Sequence, residues 1–234
     1  MDLSYTGLND YQMCPLKYNL IYNYGFKQSD SEDISYGLIM HEIFNIINKE
    51  LKDYGKMPNE SEIRKIAEKS YHKEQNIIHN SEELNSIVTA VNEYYEKIGS
   101  KIKVLESEYD FNIRKDSYNL KGAIDLLYET SEGKIGILDY KNSEDGESKK
   151  WKYEKQLSTY ILALKNDAKY KDIKVDEAKI YTMKDSNLID IEINDTDSYN
   201  LNIDKAASKI ENNNFKPHES AACDYCKFKF FCNK

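Results

Sequence analysis

The residues best suited to chemistry lie in the stretch LKGAIDLLYETSEGKIGILDYK, residues 120–141, where charged side chains interrupt two apolar runs. The runs are separated by Glu-Thr-Ser-Glu-Gly, a pattern that predicts a β-hairpin. If the hairpin is centred on Glu132, Asp125 lies directly opposite Asp139, with Cβ atoms roughly 5 Å apart. Two carboxylates so placed on buried strands repel each other, which indicates a cation between them.

Mg²⁺ or Mn²⁺ would relieve this repulsion, because such ions prefer hard oxygen ligands. Lys141 follows Asp139 on the same face of the strand, where its ammonium could contact an attacking water or a phosphate oxygen. The pattern Asp139-x-Lys141, which follows Asp125 on the other strand of the hairpin, therefore favours phosphodiester hydrolysis. For the triplet alone, an ordinary ion pair on a solvated strand is the competing interpretation.

Two helical segments carry further candidates. His41 lies near Phe44 at the edge of a buried helical face, either as a hydrogen-bonded core histidine or as a metal ligand. Gln156 and Tyr160 are four residues apart on a later helix, so both could reach the hairpin acids from one side.

Two glutamates precede the hairpin. Strict alternation along a strand at 102–116 places Glu106 and Glu108 on one face, as extra ligands or as ordinary solvent-facing side chains. His72 and His79 receive no role.

The cysteines form the second informative set. Cys223-x-x-Cys226 is followed by Cys232, and Cys14 supplies the fourth thiol. In a cytosolic chain, four cysteines favour a metal or a cluster over disulfides. Zinc and iron–sulfur centres both accept four thiolates, and a redox pair also fits the C-x-x-C alone. A metal there would join Cys14 to the C-terminal segment 215–234.

Composition favours one globular domain. The 234 residues are 40% hydrophobic, enough for one core, so we expect a single domain, 1–234, with a helical insertion at about 55–100. We expect a cytoplasmic protein without membrane contact, because neither a long apolar run nor a signal-peptide pattern is present. The net charge of −8 argues against a generic nucleic-acid coat but allows a local basic groove. Its candidates are Lys149, Lys150, Lys152, Lys155, Lys227, Lys229 and Lys234.

Periodicity and turn signals predict the remaining elements. Helices are expected at 4–24 with an interruption at 14–15, and at 35–51, 59–78, 81–99, 147–166 and 195–212. Strands are expected at 102–116, 122–128, 134–141, 173–183 and 187–193.

Taken together, these residues resemble the RecB-like nucleases of the PD-(D/E)XK superfamily, in the branch with a four-cysteine 4Fe-4S cluster. The order and placement of the motifs agree over nearly the whole chain. The matching motifs are Gly37-x-x-x-His41, Gly122-x-Ile-Asp125, Asp139-Tyr-Lys141, Gln156-x-x-x-Tyr160 and one distant cysteine with three clustered ones.

The resemblance implies a restriction-endonuclease-like core, a mixed β-sheet flanked by helices, with the 4Fe-4S cluster joining the termini and Zn²⁺ as the alternative at the four cysteines. It implies that Mg²⁺ or Mn²⁺ is held by the following donors: His41, Asp125, Asp139 and the main-chain carbonyl of Tyr140. Lys141 would position and activate the hydrolytic water, while Gln156 and Tyr160 would orient the site. Glu108, in preference to Glu106, would be the acid ahead of the hairpin.

The implied function is metal-dependent cleavage of DNA, as an exonuclease on single strands or duplex ends in recombination and repair, beside a fused or bound helicase. The long step from His41 to Asp125 favours this helicase-associated type. The alternatives are a CRISPR-associated exonuclease and a non-catalytic DNA-binding or scaffolding module of the same fold.

Overall fold

The computed structural model describes residues 1–26, 32–73, 81–143, 147–219, 223–224 and 226–232. Within these residues the chain forms seven α-helices and six β-strands. The helices are α1 (Tyr5–Met13), α2 (Pro15–Tyr18), α3 (Glu32–Tyr54), α4 (Glu60–Lys73), α5 (Ser81–Lys97), α6 (Lys150–Asn166) and α7 (Thr196–Glu211). The strands are β1 (Asp2–Leu3), β2 (Ile102–Arg114), β3 (Asn119–Thr130), β4 (Ile135–Lys141), β5 (Glu177–Thr182) and β6 (Asn187–Asp190). None of the described helices combines the length and the apolar character that a membrane crossing needs.

The strands form one mixed sheet, which confirms the predicted α/β class with helices flanking the sheet. β3 and β4 are the expected antiparallel hairpin, β5 pairs parallel with β4, and β6 pairs antiparallel with β5. β1 pairs parallel with the start of β3, and β2 also pairs with β3. A parallel pair requires a crossover connection, and α6 lies in the one between β4 and β5.

Internal contacts group the chain into two compact units. The first contains Met1–Ser29, Phe111–Gly122 and Asp195–Lys234, and the second contains Asp30–Asp110 and Ala123–Asn194. The first unit therefore includes both ends of the chain and its cysteines, whereas the second includes the hairpin acids. A single nuclease domain over the whole chain stays a prediction.

The core of the second unit forms between helices α3 and α5 and one face of the hairpin. From the hairpin, Leu126, Tyr128, Leu138 and Tyr140 contribute side chains that are at most 2% exposed. Asp139 alternates with its neighbours and so points to the opposite face, where Tyr160 of α6 contacts it. Strand β4 is thus covered on both faces, as its apolar run predicts.

The first unit begins with a capped and interrupted helix, as predicted. The hydroxyl oxygen of Ser4 accepts a hydrogen bond from the N–H of Gly7 at 3.0 Å and caps α1. α1 ends at Met13, and Pro15 opens α2, because proline lacks the N–H that a continuing helix would use. A π-helical turn, Asn19–Asn23, follows.

Strands β5 and β6 are shorter than the predicted runs 173–183 and 187–193. Asp176 ends the pairing with β4. Its N–H donates to the carbonyl of Ile135 at 2.7 Å, and its carboxylate accepts from the N–H of Ile135 at 3.1 Å. The carboxylate therefore takes the place of the next ladder hydrogen bond.

Helix α3 is longer than its apolar stripe predicted, and α4 and α5 occupy the segment expected to be a helical insertion. The predicted end of the first insertion helix, with His79, lies outside the described residues. α7 begins at the predicted cap, where the Asp195 carboxylate accepts from the N–H groups of Asp197 and Ser198.

The close packing of the hairpin is testable at Gly136, which lies opposite Tyr128 in the ladder. A Cβ on Gly136 would lie 2.1 Å from Cζ of that ring, whose side chain is buried. We expect Gly136→Ala to lower the free energy of unfolding, measured in urea, by about 1–3 kcal/mol, because the core is overpacked. In a Tyr128→Leu background, Gly136→Ala should lower the free energy of unfolding only slightly. An equally large loss in that background would contradict the steric explanation.

Candidate active site

The hairpin brings the two predicted acids together. Leu126 pairs with Leu138, and continuing this register by one pair sets Asp125 opposite Asp139. Opposed residues of an antiparallel pair point to the same face. Asp125 is 6% exposed and Asp139 is 1% exposed, so water does not disperse their charges.

Tyr160 joins the two carboxylates through one hydroxyl group. Its oxygen lies 3.0 Å from Asp125 Oδ1 and 2.9 Å from Asp139 Oδ1. Gln156, one turn earlier on α6, donates from Nε2 to Asp139 Oδ1 at 2.6 Å. A tyrosine hydroxyl has one proton, which it can donate to one carboxylate at a time. The other carboxylate therefore needs a proton or a cation.

Lys141 ends β4 with its Nζ 2.5 Å from Asp139 Oδ2. That oxygen is buried and accepts no well-aligned hydrogen bond from the described residues, so this contact is an ion pair. Burial lowers the pKa of Lys141, but the charges of Asp139 and Asp125 outweigh burial and raise the pKa above its ordinary value. Lys141 is therefore a permanent positive charge at neutral pH.

His41 of α3 and Glu108 of β2 form a donor group with Asp125. His41 Nδ1 lies 3.4 Å from Asp125 Oδ2 and 3.5 Å from Glu108 Oε1. One donor atom from each of the three lies within 4.8 Å of the others. His41 Nε2 is also 3.2 Å from the main-chain oxygen of Tyr140. Asp139 lies beside this group rather than in it, bound to the same tyrosine hydroxyl as Asp125.

An unusual backbone conformation directs Glu108. Its φ is +47°, in the left-handed region that few non-glycine residues adopt. The burial pattern of β2 changes phase across it, since Val104 is buried before it and Phe111 and Ile113 after it. The predicted strict alternation along β2 is therefore wrong, because the reversal re-aims the side chains, as β-bulges do.

Glu106 lies in a different cluster, which decides between the two candidate glutamates. Its carboxylate is bound by Lys52 Nζ at 2.6 Å, by the Tyr170 hydroxyl at 2.5 Å and by Lys169. Burial raises the pKa of Glu106, but these hydrogen bonds outweigh burial and lower the pKa to about 2. Glu106 is thus neutralised by lysines, and Glu108 is the glutamate of the donor group.

Two groups of the site hold their protons more tightly than free side chains do. Burial, together with the charge of Asp139, raises the pKa of Asp125 to about 7. Burial lowers the pKa of His41, but the hydrogen bond to Glu108 and the charge of Asp125 outweigh it and raise the pKa to about 9. Carboxylate, carbonyl and imidazole donors around an anionic centre suit Mg²⁺ or Mn²⁺, so the residues fit the implied metal.

Tyr140 is held by both its backbone and its side chain. Its N–H donates to Asp125 Oδ2 at 2.9 Å. Its hydroxyl receives a hydrogen bond from Asn48 Nδ2 at 2.8 Å and donates to the Tyr94 hydroxyl at 3.0 Å, which donates to Asn48 Oδ1 at 2.7 Å. We call these three side chains the buried triangle. Sequence reasoning missed Asn48 and Tyr94, although an amide one turn after Phe44 on an apolar stripe requires buried partners.

Gly37 shows why the helix motif contains glycine. A Cβ on Gly37 would lie 3.3 Å from Cβ of Asn142, the residue that follows Lys141. Helix α3 therefore passes close to the end of β4, which places His41 beside the hairpin acids.

The cysteines belong to the first unit, and none of the four forms a disulfide. They are Cys14, Cys223, Cys226 and Cys232. A tetrahedral zinc ion with Zn–S bonds of about 2.3 Å would hold four sulfurs about 3.8 Å apart. Among the residues that the structure describes, the cysteines do not form such a set within 4.8 Å.

The lysines of the predicted basic groove fall in two places. The start of α6 carries Lys149, Lys150, Lys152 and Lys155, in the second unit. Lys227 and Lys229 are in the first unit, and Lys234 lies outside the described residues.

The site combines two opposed acids, an adjoining lysine and a histidine–carboxylate donor group. This combination is typical of hydrolases that attack phosphodiesters with the help of a divalent metal ion. The sequence agrees with this class: the model of the PD-(D/E)XK nuclease superfamily matches residues 2–233. The chain therefore belongs to the PD-(D/E)XK nuclease superfamily. Membership implies a nuclease that uses Mg²⁺ or Mn²⁺, and the mixed sheet agrees with a restriction-endonuclease-like core.

A comparison with solved structures matches one titled "Crystal structure of SSO0001". The two sequences are 12% identical, the match covers 94% of each chain, and the TM-score is 0.37. A comparison with curated proteins gives no match.

The buried triangle is testable with Asn48→Leu. We expect this variant to lose about 1–3 kcal/mol of unfolding free energy, because the hydroxyls of Tyr94 and Tyr140 lose buried partners. Asn92→Leu, at an exposed position on α5, is the control and should change stability by less than about 0.5 kcal/mol. Equal stability of Asn48→Leu and the wild type in urea denaturation would contradict the role of the triangle.

The raised pKa values of Asp125 and His41 predict how stability depends on pH in EDTA. The pKa values of about 7 for Asp125 and about 9 for His41 exceed the ordinary values of 3.8 and 6.5. The folded protein therefore binds more protons than the unfolded chain, and this stabilisation is lost as the pH rises through the folded-state values. Between pH 6 and pH 9 we expect a loss on the order of 1–3 kcal/mol in thermal or urea denaturation.

Asp125→Asn is the control for this pH dependence, because it removes one of the charges that hold a proton on His41. Its stability should change less over the same range. A wild-type protein whose stability rises from pH 6 to pH 9 would contradict the assignment.

Proposed function

We propose that the protein is a metal-dependent deoxyribonuclease that hydrolyses phosphodiester bonds of DNA, as an exonuclease on single strands. The observation that carries this proposal is the pair Asp125 and Asp139, which share the hydroxyl of Tyr160 while Lys141 lies against one of them. Burying two like charges is unfavourable for stability, so their retention favours a functional role.

In this proposal the metal ligands come from α3, from β2 and from the hairpin. They are His41, Glu108, Asp125, Asp139 and the main-chain carbonyl of Tyr140. Mg²⁺ or Mn²⁺ supplies Lewis-acid chemistry when bound, polarising the phosphate and lowering the pKa of a bound water. His41 must then be neutral at the ligating nitrogen, so binding of the ion displaces a proton from it.

Lys141 acts as a fixed cation beside the reacting phosphate. Its ion pair with Asp139 holds the ammonium in one place, from which it donates to the attacking water or to a non-bridging phosphate oxygen. Gln156 and Tyr160 both bind Oδ1 of Asp139, so they fix the direction in which Oδ2 points. Their role is to orient the acid.

Within this class, we propose that the protein is a RecB-like nuclease. It would act from a DNA end in recombination or repair, beside a fused or bound helicase. The helices α4 and α5, which lie between His41 and Asp125, support this type over a compact CRISPR-associated exonuclease. Strands labelled at the 5′ or the 3′ end test it, because an exonuclease releases short products from one end before any internal fragment.

A 4Fe-4S cluster bound by the four cysteines is also part of the proposal. Four thiolates match the ligand number of such a cluster, and all four lie in the unit that contains both chain ends. The cluster would fasten the two ends of the chain.

We expect Asp139→Ala to slow the cleavage of labelled single-stranded DNA in Mg²⁺ or Mn²⁺ by more than about 100-fold, because an acid that binds both metal and lysine is lost. Asp190→Ala is a matched control, since its side chain on β6 is 81% exposed. Circular dichroism should show both variants folded. Cleavage by Asp139→Ala at the wild-type rate would show that the site is assigned wrongly, and binding without any wild-type cleavage would favour the non-catalytic module.

The cluster predicts a brown protein after anaerobic purification, with broad absorbance near roughly 400 nm from sulfur-to-iron charge transfer. Cys226→Ser should lose most of this absorbance. A colourless wild-type protein that contains one zinc ion per chain would contradict the cluster and support the zinc alternative.

A further inference from the structure

Trp151 lies near the start of α6 and is 62% exposed. Tyr153, Leu157 and Tyr160 are buried on the inner side of the same helix, so a packed element presents the indole to solvent. A single exposed aromatic side chain is common on protein surfaces. Its surroundings therefore decide whether this one has a role.

One cation lies over the indole, and two further lysines adjoin Trp151 in sequence. Lys155, one turn later, places Nζ 5.2 Å from the centroid of the Trp151 ring, and Lys150 and Lys152 adjoin Trp151 in sequence. Glu154, the acid of this turn, accepts hydrogen bonds at 3.3 and 3.2 Å from the segment that follows β6. Trp151, Lys150, Lys152 and Lys155 thus form a basic, aromatic stretch in a chain with a net charge of −8. We call these four residues the α6 platform.

The α6 platform lies on the helix that contributes Gln156 to the site. Lys152 precedes Gln156 by one turn on the same face, and the Gln156 amide lies 2.6 Å from Asp139. Trp151 is about 7.5 Å from Gln156 along the helix axis, at about 1.5 Å per residue. Along the helix axis, the indole and the amide are therefore less than two helical turns apart.

We propose that the α6 platform binds single-stranded DNA, with one unpaired base stacked on Trp151 and the neighbouring phosphates neutralised by Lys152 and Lys155. This inference rests on the proposed function, because it names how that site selects its substrate. An unstacked base offers its π-face to an aromatic side chain, whereas neighbours cover both faces of a base inside a duplex. The α6 platform therefore selects a single strand or a frayed end, with little preference for sequence.

Tryptophan fluorescence tests this proposal directly, because Trp151 is the only tryptophan in the chain. The whole protein is titrated in EDTA, which prevents metal-dependent cleavage, with short oligo(dT) or with a blunt hairpin duplex of equal phosphate number. We expect oligo(dT) to quench the emission by about half or more, because a stacked base contacts the indole. The duplex should leave the emission nearly unchanged.

Variants separate stacking from charge. Trp151→Ala should weaken the binding of dye-labelled oligo(dT), measured by fluorescence anisotropy, by about 5- to 100-fold, whereas Trp151→Phe should retain most of the affinity. Lys152→Ala should reduce the salt dependence by about one released counterion. Tyr54→Ala is the matched control, since Tyr54 is a 73% exposed aromatic residue at the far end of α3, and it should bind as the wild type does.

The outcomes distinguish this inference from the function on which it rests. If oligo(dT) is bound in EDTA and cut in Mn²⁺ while the tryptophan emission stays unchanged, the proposal that the α6 platform binds DNA is wrong. The proposal that the protein is a nuclease is then retained. Equal quenching by the duplex would also overturn the selection of single strands. If DNA is neither bound nor cut, both proposals fail.

Discussion

The repulsion between two buried carboxylates is the constraint on which the rest of the site depends. Asp125 and Asp139 cannot move apart by a shift of the hairpin, because a one-residue slip would turn every apolar side chain of the strand to the opposite face. Tyr160, Gln156 and Lys141 compensate part of the charge through hydrogen bonds and one ion pair. Burial, together with the charge of Asp139, still raises the pKa of Asp125. In the proposed function, a divalent cation would supply the remaining positive charge.

The apolar core and the polar site are linked through Tyr140. Its side chain ends in the buried triangle with Asn48 and Tyr94, deep among the side chains of α3 and α5. Its backbone contacts Asp125 through the N–H and His41 through the carbonyl. Packing of the helices against the sheet therefore determines where two of the donor atoms lie. Nuclease chemistry needs such rigidity, because a phosphate and its nucleophile must be held in line.

The hairpin and its two acids could be predicted from the sequence because the signals are local: apolar runs, a polar turn and a register that follows from its centre. The direction of Glu108 could not, because a left-handed φ at a glutamate has no signature in a single sequence. The buried triangle depends on α5 packing against α3, which brings together residues far apart in the chain. The true end of β5 depends on Asp176, whose carboxylate replaces a backbone partner. The buried triangle and the end of β5 could not be predicted because each depends on a tertiary contact that overrides a local pattern.

The most direct test of the central claim is an anomalous difference map from crystals grown with Mn²⁺. The account predicts one strong peak within coordination distance of Asp125 and Asp139 carboxylate oxygens, with His41 and the Tyr140 carbonyl around it. A map with no peak between these carboxylates, under conditions in which the protein cuts DNA, would contradict the claim that a divalent ion balances the two acids.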